Sequence, residues 1–320
     1  MYERVSELPL EVEAVSLERR EAQVPPDFTR VTTTVVLQGA GEVGRGEDVT
    51  YLPEAHDEFA ALPLEGRWTL DELSSELTRH ELADFSRWGV ESAALDLALR
   101  QAGLSLGAAL GREYRPVRFV FSTRGDVRAW RELYPGLEFK LDPTADWDDD
   151  RIRELAADGR VRVLDLKGQY RGTPVDAPAD ARLYRALVGA FPDAIIEDPA
   201  LTDETQEALR GAEDRISWDA PIHAAADIEA RAPRYVNIKP SRFGSVRRLF
   251  DAIAYCDERG ISMYGGGQFE LGVGRRQIQV LASLFYPDAP NDVAPSDYNF
   301  GGPRPGLPES PLLPPDAPGF

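Results

Sequence analysis

Cysteine is almost absent. Cys256 is the only one in 320 residues, which excludes an intrachain disulfide and any zinc or iron–sulfur centre built from cysteines. Histidine is scarce as well, and the three in the chain form no H-x-H, H-E-x-x-H or Ser-His-Asp arrangement, so hydrolase chemistry of those kinds is disfavoured. Nowhere do about 18 apolar residues run together without charge, and the opening MYERVSELPLEVEAVSLERREAQ lacks the apolar stretch of a signal segment. Positive charge is in deficit: 36 Lys and Arg stand against 55 Asp and Glu, a formal net charge of −19. Such a surface repels phosphate backbones and anionic membrane faces. The expectation is a cytoplasmic globular protein that binds neither nucleic acid nor membrane, with a hydrophobic fraction of 42% to build its core.

What is present is ordered. Residues 11–38 alternate as strands do, and TRVTTTVVLQ (29–38) is rich in β-branched side chains. GAGEVGRG follows as a turn, and from Thr69 to Gly103 the period is helical. After Pro116, seven short apolar runs alternate with amphipathic segments: VRFVFST (117–123), LEFKLD (137–142), VRVLDLK (161–167), AIIED (194–198), ISWD (216–219), YVNIK (235–239) and ISMYG (261–265). Strict alternation of strand and helix implies a parallel sheet, and this many units suit a closed barrel better than an open doubly wound sheet, which stays the alternative. The expected fold is α/β: a modified TIM-type (β/α)7β barrel over 113–295 and an α+β capping domain over 1–112, with the proline-rich tail 296–320 packed on the cap in extended form.

Five of these strands end in charge: Lys140 and Asp142, Asp165 and Lys167, Glu197 and Asp198, Asp219, Lys239. In a barrel the carboxyl ends of the strands converge on one mouth. A single acid there is most often a helix cap or half of an ion pair. Asp165, Glu197, Asp219 and Lys239, however, follow one another at 32, 22 and 20 residues, one βα unit per step. Three carboxylates so placed make an all-oxygen site suited to Mg²⁺, and the flanking lysines would act as bases on carbon acids if burial and a neighbouring cation lowered their pKa. Gly265, Gly266 and Gly267, ahead of a helical segment near Gly272, offer backbone N–H groups to an anionic group, with a plain loop as the alternative.

In order along the chain, GAGEVGRGE, SAALDLALRQAGLSLGAALG, FKLD, VLDLKGQY, IIEDP, SWDAP, VNIKPSRFGSV and GGGQFELGVG resemble motifs of the enolase superfamily, most closely its muconate-cycloisomerase-like branch with o-succinylbenzoate synthases and dipeptide epimerases. The resemblance implies Mg²⁺, with Mn²⁺ as the alternative ion, on Asp165, Glu197 and Asp219. It also implies Lys239 as the base and Glu270 at the same mouth. It makes the expected reaction removal of the α-proton of a small carboxylate substrate through a metal-stabilised enediolate. One departure stands out: the family's second-strand K-x-K is here Lys140-Leu141-Asp142. Lys167, two beyond Asp165, would then pair with Asp142 or serve as the second catalytic group. The alternatives are a dehydratase with Lys239 as base and Asp142 as acid, or a metal-binding member without turnover. Substrate and oligomeric state stay open, with specificity expected from cap segments near 14–28 and 46–56. Gly39, Gly41 and Gly44 also spell G-x-G-x-x-G, but no helix opens after them, so a hairpin is the better reading than a dinucleotide site. His223, four residues after Asp219, lies near the expected mouth.

Overall fold

The β-branched run of the amino-terminal third forms the middle of a sheet. In the computed structural model, which describes residues 1–24, 28–314 and 317–320, β1 (Pro9–Val12) pairs with β5 (Gly66–Thr69). The strands β2 (Ala14–Val24), β3 (Phe28–Gly39) and β4 (Glu42–Asp48) make an antiparallel sheet of three. β3 lies between its neighbours and is buried from Arg30 to Leu37. Of the cap segments expected to meet substrate, 14–24 is strand β2, and Pro25, Pro26 and Asp27 lie outside the described residues.

The glycine motif builds a hairpin and a close contact. Ala40 and Gly41 turn the chain at φ of 49° and 78°, the two left-handed residues of a tight β-turn. A side chain at Gly44 would place its Cβ 2.3 Å from the carbonyl oxygen of Ala93. Only glycine therefore lets β4 lie against the helix Asp84–Gln101. That helix is buried on all sides from Trp88 to Leu99, as a helix enclosed between layers must be.

The carboxyl-terminal part alternates strand and helix as expected. β6 (Val120–Thr123), β7 (Glu138–Leu141), β8 (Val161–Asp165), β9 (Ile195–Glu197), β10 (Ile216–Trp218), β11 (Tyr235–Ile238) and β12 (Ser262–Gly265) form one curled parallel sheet in sequence order. No strand order reverses, so the doubly wound alternative falls, since that architecture requires a reversal. Residues 291 and 292 bridge both outer edges: Val120 donates to the Asn291 carbonyl and Asp292 donates to that of Gly265, each at 2.8 Å.

Buried carboxylates of the cap tie the two parts together. Glu91 accepts from the Val246 N–H (2.8 Å) at the start of the helix Val246–Arg259. Glu47 accepts from Leu271 (2.8 Å), Gly272 (2.9 Å) and Gly274 (2.7 Å) at the start of the helix Gly274–Phe285. In both, an acid meets N–H groups that a helix leaves unpaired and a positive dipole end. The tail first packs Tyr298 among Phe119, Phe121, Trp130 and Tyr134 beside β6. Among the described residues it reaches the cap at its end, where Phe320 stands edge-on to Trp88; Pro315 and Asp316 lie outside the described residues. Among the described residues no helix is long and apolar enough to cross a membrane.

Candidate active site

Residues two apart on a strand share a face, and along the parallel sheet that rule builds the site in layers. Val163, Ile195 and Tyr264 pack together as the lower layer. Two residues on along β8 and β9 stand Asp165 and Glu197, paired in register, and two beyond Ser217 of β10 stands Asp219. One oxygen from each of the three buried carboxylates lies within 4.8 Å of the others. Tyr264 donates to Glu197 Oε2 at 2.5 Å, and Asn237 donates to the same oxygen at 3.2 Å.

Lysines flank the acids on both sides. Lys140 of β7 donates to Glu197 (2.5 Å) and sits 3.1 Å from Asp165. Lys167, just past β8, reaches Asp165 and stands 3.7 Å from Asp142. Lys239, just past β11, donates to Asp219 Oδ2 at 2.8 Å, while Arg242 donates to Oδ1 at 2.6 Å. The chain has no other lysine: the remaining members of its 36 basic residues are arginines. Arginine cannot give up its proton, whereas an ammonium can, so the count of lysines is itself a signal for the site, independent of the strand-end argument.

The expected Asp142–Lys167 pair is loose. Asp142 holds Arg124 at 2.9 Å, because Arg124 leaves the adjacent strand β6 beside it, whereas the left-handed backbone of Lys167 (φ 54°) accompanies a side chain turned to Asp165. The expected lowering of the lysine pKa is also corrected for two of the three. Burial alone would lower the Lys140 and Lys167 ammonium groups, but Glu197 with Asp165 around the first, and Asp142 with Asp165 around the second, hold both well above the ordinary lysine value.

The carboxylates divide. Against the cost of burial, Lys167 and Lys140 hold Asp165 well below the usual range, and Arg242 with Lys239 does the same for Asp219. Glu197 is driven well above its ordinary value by burial, opposed by Lys140 and reinforced by Asp165 and Asp219. Asp198 is pushed up to about 7 by burial and by Asp219 and Asp165. Burial and mutual repulsion thus oppose the charge of Glu197 and Asp198. Together with three convergent oxygen donors, this fits a hard divalent cation.

The glycine cradle is a correction. The Gly266 N–H donates to the Ile238 carbonyl (3.2 Å) and that of Gly267 to the Asp292 carbonyl (3.1 Å), so neither is free for an anion. The helix start beyond them is filled by Glu47. Gly266 instead supplies space: its missing Cβ would stand 2.7 Å from Lys239 Cε. Glu270 is buried, paired with Arg275 (2.8 Å) and capped by the Gln268 N–H (2.6 Å). His223 sits partly exposed between the Arg242 and Ala220 carbonyls, each at 3.2 Å. Sequence reasoning missed Arg242, Tyr170, Tyr264, Asn237 and Asp292, which meet the site through contacts across many residues. Asp292 stands 3.8 Å from Lys140.

Two family models match, the N-terminal and C-terminal domains of a family described as a domain of unknown function, DUF8230, over residues 3–109 and 113–300. An N-succinylamino acid racemase from Amycolatopsis is 30% identical over 246 residues, 70% of this chain and 63% of the relative. An o-succinylbenzoate synthase from Bacillus subtilis is 24% identical over 237 residues, with the same two shares. The chain thus spans less than two thirds of the length of these curated relatives. Among solved structures, a dipeptide epimerase from Methylococcus capsulatus in complex with Mg and the dipeptide L-Arg-D-Lys superposes with a TM-score of 0.76, at 20% identity, covering 97% of this chain and 99% of the other. The muconate lactonizing enzyme of Pseudomonas putida gives 0.70 at 17% identity, covering 97% and 96%.

Proposed function

The chain belongs to the DUF8230 family and to the muconate-cycloisomerase-like branch of the enolase superfamily, and on that footing we propose an isomerase or lyase that removes the α-proton of a small carboxylate substrate. One observation carries the reading: three carboxylates end the adjacent strands β8, β9 and β10, with Lys140 and Lys167 on one flank and Lys239 on the other. We read the curled sheet as a (β/α)7β barrel over 113–295, closed through residues 291 and 292, under a cap of residues 1–112.

Asp165, Glu197 and Asp219 would hold Mg²⁺ or Mn²⁺, an ion that when bound supplies positive charge to the enediolate left by proton removal. Lys239, in its neutral amine form, takes the proton and becomes an ammonium ion. It stands on the flank opposite Lys140 and Lys167, with room made by Gly266. Lys167 and Lys140 face the substrate from the other flank as ammonium groups. A proton returned from that flank inverts the carbon, and loss of a leaving group there gives the lyase outcome. Asp142, turned to Arg124, supports the dehydratase reading least. Glu270, set firmly by Arg275, would line the substrate's far side.

The test uses the relatives' chemistry. Incubated in D₂O with Mg²⁺, the enzyme should exchange the α-proton of an N-succinylamino acid, read by proton NMR. Lys239→Ala should lower that rate by about 10² to 10⁴ while still binding metal. Metal at about 100 times its dissociation constant should add roughly 2.7 kcal/mol of stability. Exchange retained in Lys239→Ala would move the base elsewhere, and an Asp219→Asn variant that binds metal as wild type does would break the ligand set.

A further inference from the structure

Resting on the metal reading above, we propose that Tyr170 is a positioning residue that orients the Asp219 carboxylate for the divalent cation. Its hydroxyl lies 2.9 Å from Asp219 Oδ2 and 3.0 Å from Arg242 Nη2. A guanidinium has donors only, so the phenol must accept from Arg242, and its single proton is committed to Asp219. The ring centroid lies 5.2 Å from the Lys167 ammonium and 5.8 Å from the Arg242 guanidinium, close enough for both cations to interact with the ring. One side chain therefore links the two catalytic flanks through a ligand carboxylate.

The connection that delivers Tyr170 is pinned at both ends. Upstream, the Gly168 N–H donates to the Asp198 carbonyl at 2.8 Å, at a spot where a Cβ would stand 2.2 Å from the Ala200 nitrogen. Downstream, Thr173 donates to the Tyr170 carbonyl through its N–H (3.0 Å) and its hydroxyl (2.7 Å). Apart from Arg242 on the helical turn Pro240–Phe243, the other donors to the three carboxylates stand on the strands or just past their ends; Tyr170 comes from the loop between β8 and the helix Ala181–Ala190. Partners of this outer kind fix ligand orientation and typically set metal affinity by about 10- to 100-fold.

Mn²⁺ binding, followed by the electron paramagnetic resonance signal of the free ion, separates this role from general support of the fold. Tyr170→Phe keeps the ring and loses the hydroxyl, and should weaken Mn²⁺ by about 10- to 100-fold. Tyr184→Phe removes another largely buried phenol, one that bonds the Ala200 N–H and touches none of the three acids, and should leave affinity unchanged. Unchanged affinity in Tyr170→Phe, or an equal loss in both variants, overturns the proposal. A wild type that binds no Mn²⁺ overturns the metal reading first and this role with it. If Tyr170→Phe does not fold, a crystal of the wild type with Mn²⁺ decides: the phenol within hydrogen-bond reach of Asp219 supports the role, and a phenol swung away defeats it.

Discussion

At the scale of single residues, the distribution of lysine is the most telling fact. Lys140, Lys167 and Lys239, the only lysines in the chain, all touch the carboxylates of Asp165, Glu197 or Asp219. A sample labelled with ¹³C at lysine Cε should therefore show three side-chain signals, assigned by single Lys→Arg substitutions. Since their carboxylate neighbours hold Lys140 and Lys167 above the ordinary 10.5, both signals should stay in the ammonium form as pH passes that value. A group raised in the folded state lends stability that is complete below its unfolded pKa and is lost as pH climbs through the folded one, so this contribution fades only above 10.5. Either signal titrating below 10.5 would contradict the assigned contacts. The acids and Lys239 were readable because each sits one βα interval from the last. Tyr170 and Arg242 were not, since their contacts with Asp219 span 49 and 23 residues and leave no local pattern.

Among the elements, glycines decide how closely two surfaces approach. Gly44 lets β4 touch the helix Asp84–Gln101, whereas Gly189, exposed near the end of the helix Ala181–Ala190, has nothing within 4 Å of where a Cβ would stand. Gly44→Ala should destabilise by about 1–3 kcal/mol through overpacking. Gly189→Ala should gain about 0.5–1 kcal/mol from helix propensity. Chemical denaturation measures both, and equal effects would mean that the β4–helix contact is not tight. The strand pattern exposed the first hairpin and all seven parallel strands, because periods of two and of 3.6 are local properties. It offered Gly266 as an N–H donor to an anion, whereas the space Gly266 leaves matters only because Lys239 arrives beside it from another strand.

Across the whole molecule, cap and sheet are joined by buried acids at helix starts. Burial raises the pKa of both Glu47 and Glu91, with Glu270 adding to the effect at Glu47. Such groups lend stability that is complete below 4.5 and is lost as pH rises through their folded values. Glu47→Ala leaves the Leu271, Gly272 and Gly274 N–H groups without their partner and should cost at least about 1–3 kcal/mol. The gap from wild type should widen as pH is lowered from neutrality toward 4.5, measured by urea unfolding across pH. A gap that narrows would mean that Glu47 is charged at no cost in the interface.

Residue order alone settles the α/β alternation, the acidic surface and the run of Asp165, Glu197, Asp219 and Lys239, because periodicity, composition and spacing are properties of the chain laid out straight. Which cations meet those acids is settled only when β7 to β11 lie side by side: Lys167 turns to Asp165 and leaves Asp142 to Arg124, and Glu47 takes the helix start that the glycines alone offered to an anion. The physical reason is range. Charges and hydrogen bonds act over a few ångströms of space, and residues that far apart in the fold are separated by up to hundreds of positions in the chain, as Glu47 and Gly274 are by 227.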